Sequence, residues 1–275
     1  VAGVLLPKYT SRLRSRADLA EELADPAHGA MLATLPAGLL VLATAWGRVG
    51  WEPFGLWVDA VLLVVGTIIA MGQGLAWSAA MLRTPRGLEG VNGGWLIPPV
   101  MNLIVPLALA PLVPHFSGSA LLLVLVGFAF YGVGILLFVA MLTLLIARLA
   151  LREPLPAAMA PSLWIPLAPA GVAGLSLIQL LRAAGEAGVP GFPGVAVGLV
   201  VAAMGVGFGL WWAGFAWLEL RRLQRAGGPP RHPGWWGFVF PVAAMTLSLA
   251  TVALVTGIGV LEVAGVLATA LLVGV

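Results

Sequence analysis

Apolar residues run along this chain in blocks of about twenty or more, cut apart by short stretches rich in arginine, glycine and proline. A helix needs roughly 20 such residues to cross about 30 Å of hydrocarbon. Eight blocks qualify, at about 30–48, 55–82, 95–114, 119–147, 160–182, 194–220, 234–257 and 258–275. The pattern predicts an all-α polytopic membrane protein. Residues 1–29 form a basic segment outside the bilayer, and 30–275 a single transmembrane domain of four helical hairpins. The last two blocks are separated only by VTGIGV, the least marked of the boundaries.

Proline divides the blocks into two kinds. Pro36 lies in the first, Pro98, Pro99 and Pro106 in the third, Pro161, Pro166 and Pro169 in the fifth, and Pro241 in the seventh. The even-numbered blocks have none. Taking Pro36, Pro98, Pro166 and Pro241 as markers, the intervals are 62, 68 and 75 residues, one hairpin each. Proline in a helix interior removes a hydrogen bond and clashes with the carbonyl four residues back. Pro241 is thus expected to free the carbonyl of Gly237 and bend its helix. Irregular backbone at membrane depth is tolerated where protein buries it or where it lines a watery cavity. Four bent helices of like direction, each backed by a straight one, predict a ring of bent helices around a central path.

Composition strengthens the membrane assignment. Hydrophobic residues make up 61% of the 275, and charged residues 9%, where soluble domains carry about 25%. The 36 glycines suit close helix packing in lipid. Cysteine is absent, which excludes disulfides, thiolate metal sites and cysteine nucleophiles.

Charge sets the orientation. Lys8, Arg12, Arg14 and Arg16 precede the first block; Arg83 and Arg86 follow the second, Arg148 and Arg152 the fourth, and Arg221, Arg222, Arg225 and Arg231 the sixth. Twelve of the fourteen basic residues thus share one side, and only Arg48 and Arg182 lie on the other. By the positive-inside rule, both termini are expected in the cytoplasm, in a bacterial inner membrane. The basic residues are topology signals, not a nucleic-acid footprint.

The strings HGAMLATLPAG (28–38), WLIPPV (95–100), LWIPLAPAG (163–171) and WWGFVFP (235–241) resemble the tellurite-resistance/dicarboxylate transporter family, related to plant slow anion channels and fungal malate permeases. The resemblance implies ten helices in five hairpins around a pore, and assembly as a homotrimer with one pore per protomer. HGAMLATLPAG is similar to the family's third helix, and the chain begins at Val1 without methionine. The expectation is that a first hairpin lies outside this chain. The resemblance also assigns Phe240 as the pore gate. It makes Pro36, Pro98, Pro99, Pro166, Pro169 and Pro241 the kinks of the pore-lining helices.

Candidate chemistry is sparse. Asp59 and Glu262 are the acids placed within blocks, both on straight helices, and are candidates for structural hydrogen bonding or proton coupling. Glu219 is expected to pair with Arg221 or Arg222. His28, His115 and His232 lack an i, i+4 partner, which argues against a metal, and no cofactor is expected. Gly205–Gly209 reads as helix packing. Polar residues on the proline-bearing blocks are neutral: Thr34, Asn102, Ser162, Ser176, Gln179, Thr246 and Ser248. A path without fixed charge passes an anion without holding it. The expected function is an anion channel or facilitative transporter for small anions or dicarboxylates, not an enzyme. Two alternatives stand beside it: a proton-coupled organic-anion carrier, and an eight-helix quinone-handling subunit of a respiratory complex.

Overall fold

The computed structural model describes residues 15–25, 28–83, 87–228 and 237–273. Lys8, Arg12, Arg14, Arg86, Arg231, His232, Trp235 and Trp236 lie outside the described residues. Within the basic N-terminal segment a short helix, α1 (Arg16–Ala24), packs on the membrane-spanning helices. Its capping box explains its start. The Asp18 N–H donates to Ser15 Oγ at 3.1 Å, and the Ser15 N–H donates to Asp18 Oδ2 at 3.0 Å.

Eight apolar helices follow: α2 (Thr34–Val49), α3 (Phe54–Arg83), α4 (Ile97–Leu109), α5 (Ala120–Leu151), α6 (Leu167–Glu186), α7 (Ala196–Arg225), α8 (Val239–Thr256) and α9 (Gly259–Val273). They match the eight apolar blocks of the sequence in order. Among the described residues, six helical segments are long and apolar enough to cross a membrane; α4 with its lead-in and α9 are shorter. Each even-numbered helix pairs with the antiparallel helix after it, giving four hairpins.

The two central proline-bearing helices, α4 and α6, are the enclosed ones, and α2 and α8 flank them. α2 packs on α4, α4 on α6, and α6 on α8, in one row. Pro98 to Leu109 of α4 are all buried. In the span that includes α6, 89% of the apolar window is buried, against 17% in that of α5 and 22% in that of α7. The ends of the row, α2 and α8, do not pack on each other. Small residues set the spacing, as expected where backbones approach in lipid. A Cβ on Gly171 of α6 would stand 2.7 Å from the Ala244 backbone of α8. Gly205 faces the Ala170 carbonyl and Gly209 the Met245 side chain, whereas Gly207 faces open space, so two of the three glycines in that run serve packing.

The junction in VTGIGV is set by Gly257, whose left-handed φ of 66° caps α8 while its N–H bonds the Ala253 carbonyl. Glycine takes this conformation without a Cβ penalty.

The prolines occupy a different place from the one their sequence pattern predicts. Pro36, Pro99, Pro169 and Pro241 are each the third residue of α2, α4, α6 and α8. The first four N–H groups of a helix have no partner within it, so proline there removes no ladder bond. A change of helix type comes before it. A 3₁₀ segment leads into α2 (Gly29–Ala33), into α4 (Gly93–Leu96) and, ending two residues earlier, into α6 (Ala157–Trp164). Residues 237 and 238 make a 3₁₀ turn before α8. The recurring feature is therefore a 3₁₀-to-α junction, and Pro106 alone in this set sits inside an α-helix.

Candidate functional site

The first turns of the four inner helices, with the lead-ins to α2, α6 and α8, meet around one cavity of about 490 Å³. α2 contributes Thr34, Ala37, Gly38 and Val41; α4 contributes Ile97 and Val100. Met159, Pro161, Ser162, Ile165 and Ala168 come from the α6 side, and Gly237, Phe240 and Pro241 from α8. Met31 and His28 stand on the lead-in to α2. Among the described residues, no carboxylate, lysine or arginine lines it. Val41 remains 38% exposed, so the wall is not sealed.

Local hydrogen bonds explain why the walls hold their shape. Ser162 Oγ donates to the Met159 carbonyl at 2.7 Å and accepts the Gly93 N–H at 3.2 Å, tying the α6 lead-in to that of α4. A Cβ on Gly93 would run into the Ser162 carbonyl, so glycine is required there. Asn92 Oδ1 accepts the Gly94 N–H at 2.8 Å. On the far side, Trp212 Nε1 of α7 donates to the Leu163 carbonyl at 2.7 Å. The same turns take up the first helical donors: Thr34 N–H bonds the Met31 carbonyl, Ile97 N–H that of Gly94, and Ala168 N–H that of Ile165. At three of the four helix starts facing the cavity, one leading N–H group is thus already bonded. Their dipoles act on it as a field without forming a hydrogen-bonding cradle.

The sequence-derived residues distribute unevenly around this space. Phe240 lies on the wall, half-buried, with Pro241 beside it. Across from α8, a Cβ on Gly38 would meet nothing within 4 Å. Pro36, Pro98, Pro99 and Pro169 are buried in the helix starts behind the lining, and Pro166 is likewise buried. Thr34 and Ser162 reach the cavity; of the other polar candidates, Ser176 and Asn102 bond backbone carbonyls, and Ser248 Oγ is buried without a partner. Ser176 Oγ donates to the Leu103 carbonyl at 2.5 Å, and Asn102 Nδ2 to that of Pro98 at 2.8 Å.

Asp59 is fully buried on α3, against Gly47 and Pro111, and neither carboxylate oxygen has a hydrogen-bond partner. Glu262 is exposed in the first turn of α9, away from the cavity. Glu219 pairs with Arg222 through a bond from Nε of 2.9 Å, and Arg221 lies over the Trp217 ring. His28 Nδ1 is 3.2 Å from Asp25 Oδ1. Among the described residues no three His, Cys, Asp or Glu side chains converge as metal ligands. Met31, Met159, Ile97 and Ile165 escaped the sequence reading. Their signal is position alone: each sits within a turn or two of an inner-helix start.

Comparison with known proteins agrees with this architecture. The profile of the SLAC1 family, described as voltage-dependent anion channels, matches residues 4–275. An uncharacterised transporter of Methanocaldococcus jannaschii is 29% identical over 82% of this chain and 64% of its own length. A second transporter of that organism is 31% identical over 65% of the chain and 51% of its own. The sulfite efflux pump SSU1 of Trichophyton rubrum is 28% identical over 82% of the chain and 62% of its own. The chain thus spans between half and two thirds of the length of these relatives.

Proposed function

The chain belongs to the SLAC1 family of voltage-dependent anion channels, and on that premise we propose that it passes small anions along its inner helices, with Phe240 as the gate. The supporting observation is the cavity at the convergence of four helix starts, walled mostly by apolar side chains and without a fixed charge among its described lining residues. Each helix N-terminus carries the equivalent of about half a positive charge. Four together favour an anion over a cation, while the bonded N–H groups give it nothing to grip. Weak binding is what conduction needs. Selectivity then follows the cost of stripping water from the anion. The name of the SSU1 relatives makes sulfite one permeant to try beside chloride and nitrate. The basic side faces the cytoplasm, and trimeric assembly is carried over from the family.

Reconstitution tests this. Liposomes loaded with anion and given a counter-ion path should release it in proportion to protein content, with nitrate faster than the more strongly hydrated chloride. Release of cations at the same rate, or none of any anion, overturns the reading. Asp59, buried and without a partner, favours one second reading, proton-coupled carriage. Accumulation of anion driven by a pH gradient alone, and abolished in Asp59→Asn, would establish it.

A further inference from the structure

Two arginines break the charge alternation of the sequence, and the fold brings them to one place. On α2 the cavity wall runs Thr34, Gly38, Val41; continuing at helical spacing, the same face reaches Ala45 and Arg48. On the α6 side it runs Ile165, Ala168, and the same spacing leads through Val172, Leu175 and Gln179 to Arg182. Both arginines therefore continue the faces that line the cavity, and both are exposed at the opposite end of the bundle.

The end of α4 separates them. Gly47 lies against Pro111 on one side. On the other side the turn at Val113–His115 packs on α6, and Leu180, Ala183 and Ala184 share a core with Leu112 and Val113. Arg48 is within electrostatic reach of Arg182 and of Asp59.

Neither arginine makes an ion pair among the described residues. Arg182 does not serve as a helix C-terminal charge, since the last turn of α6 holds no basic residue. Two like charges facing one end of an uncharged path, with neither carboxylate oxygen of Asp59 bonded to them, are arranged for a ligand of opposite sign.

Resting on the transport reading above, we infer that Arg48 and Arg182 form a cationic mouth that gathers small inorganic anions at the far end of the path. Asp59 behind Arg48 limits the net charge, so anions are concentrated without being trapped. The mouth raises local anion concentration, and the apolar cavity and Phe240 decide passage.

The cysteine-free sequence makes this measurable without transport. A cysteine at Gly185, where a Cβ meets nothing within 4 Å, carries a fluorophore one turn beyond Arg182. Iodide and neutral acrylamide are then compared as quenchers. A unit charge about 10 Å away in water changes local iodide roughly two-fold at ~10 mM ionic strength. Arg48→Gln and Arg182→Gln should each lower iodide quenching by that factor and leave acrylamide quenching unchanged. The difference should vanish near ~1 M salt, where the screening length is about 3 Å. Arg→Lys at both positions should restore it. Parallel changes for both quenchers, or none for iodide, overturn the mouth. Flux through the same variants separates the two claims. An iodide effect without anion flux in the parent protein keeps the mouth and sinks the transport reading. Flux with no iodide effect does the reverse.

Discussion

Ser176 shows how polar side chains are used inside this bundle. Its hydroxyl crosses from α6 to the Leu103 carbonyl of α4 at 2.5 Å, holding together the two most enclosed helices. Hydrogen bonds between membrane helices average about 0.6 kcal/mol. Ser176→Ala should therefore lower unfolding stability in detergent by about 0.6 kcal/mol and leave anion flux unchanged; a loss of flux with stability intact would put Ser176 on the path after all. Thr34 and Asn102 likewise bond backbone carbonyls, of Met31 and Pro98. The sequence names these residues but not their partners, because hydropathy does not tell which side of a buried helix faces a cavity. Asp59 stood out in sequence as an acid inside an apolar block. Its neighbours Gly47 and Pro111 come from elements that only the fold brings beside it.

At the scale of the element, the repeat is carried by four helix starts. Pro36, Pro99, Pro169 and Pro241 share the third position, with intervals of 63, 70 and 72 residues, and three of the four helices follow a 3₁₀ segment of four to eight residues. Proline fixes φ near −65°, which suits the first turn and makes the junction stiff. The spans and the proline alternation were legible in the sequence, since both follow from composition. The 3₁₀ lead-ins were not, because a 3₁₀ turn and an α turn of the same residues look alike in hydropathy. Neither was the meeting of Gly93 and Ser162, 69 residues apart. Gly93→Ala forces a Cβ onto the Ser162 carbonyl, an overpacking that costs about 1–3 kcal/mol. The expected result is a lowered unfolding midpoint and a changed flux together. An unaffected midpoint would mean that the lead-ins yield, and that the cavity wall is softer than its hydrogen bonds imply.

Across the whole molecule, α4 and α6 are the buried centre of a row of four proline-bearing helices, and each helix of the row pairs with the antiparallel helix after it. The described lining of the cavity carries no fixed charge, although most of the basic residues lie at that end of the bundle; at the far end stand Arg48 and Arg182. The proposed path would divide the work: the arginines gather anions, helix dipoles admit them, and an aromatic ring sets the barrier. Phe240 is the residue on which the account turns. Its ring lines the cavity to which Gly38 also contributes, and on the proposed reading it is an uncharged constriction that gates by excluding water. The direct measurement is nitrate flux through reconstituted Phe240→Ala beside the parent protein, with folding checked by unfolding midpoint. Flux should rise about tenfold or more, equivalent to removing at least ~1.4 kcal/mol of barrier, while the midpoint stays near that of the parent. Unchanged or reduced flux in a well-folded Phe240→Ala would contradict the account and leave the ring a packing residue.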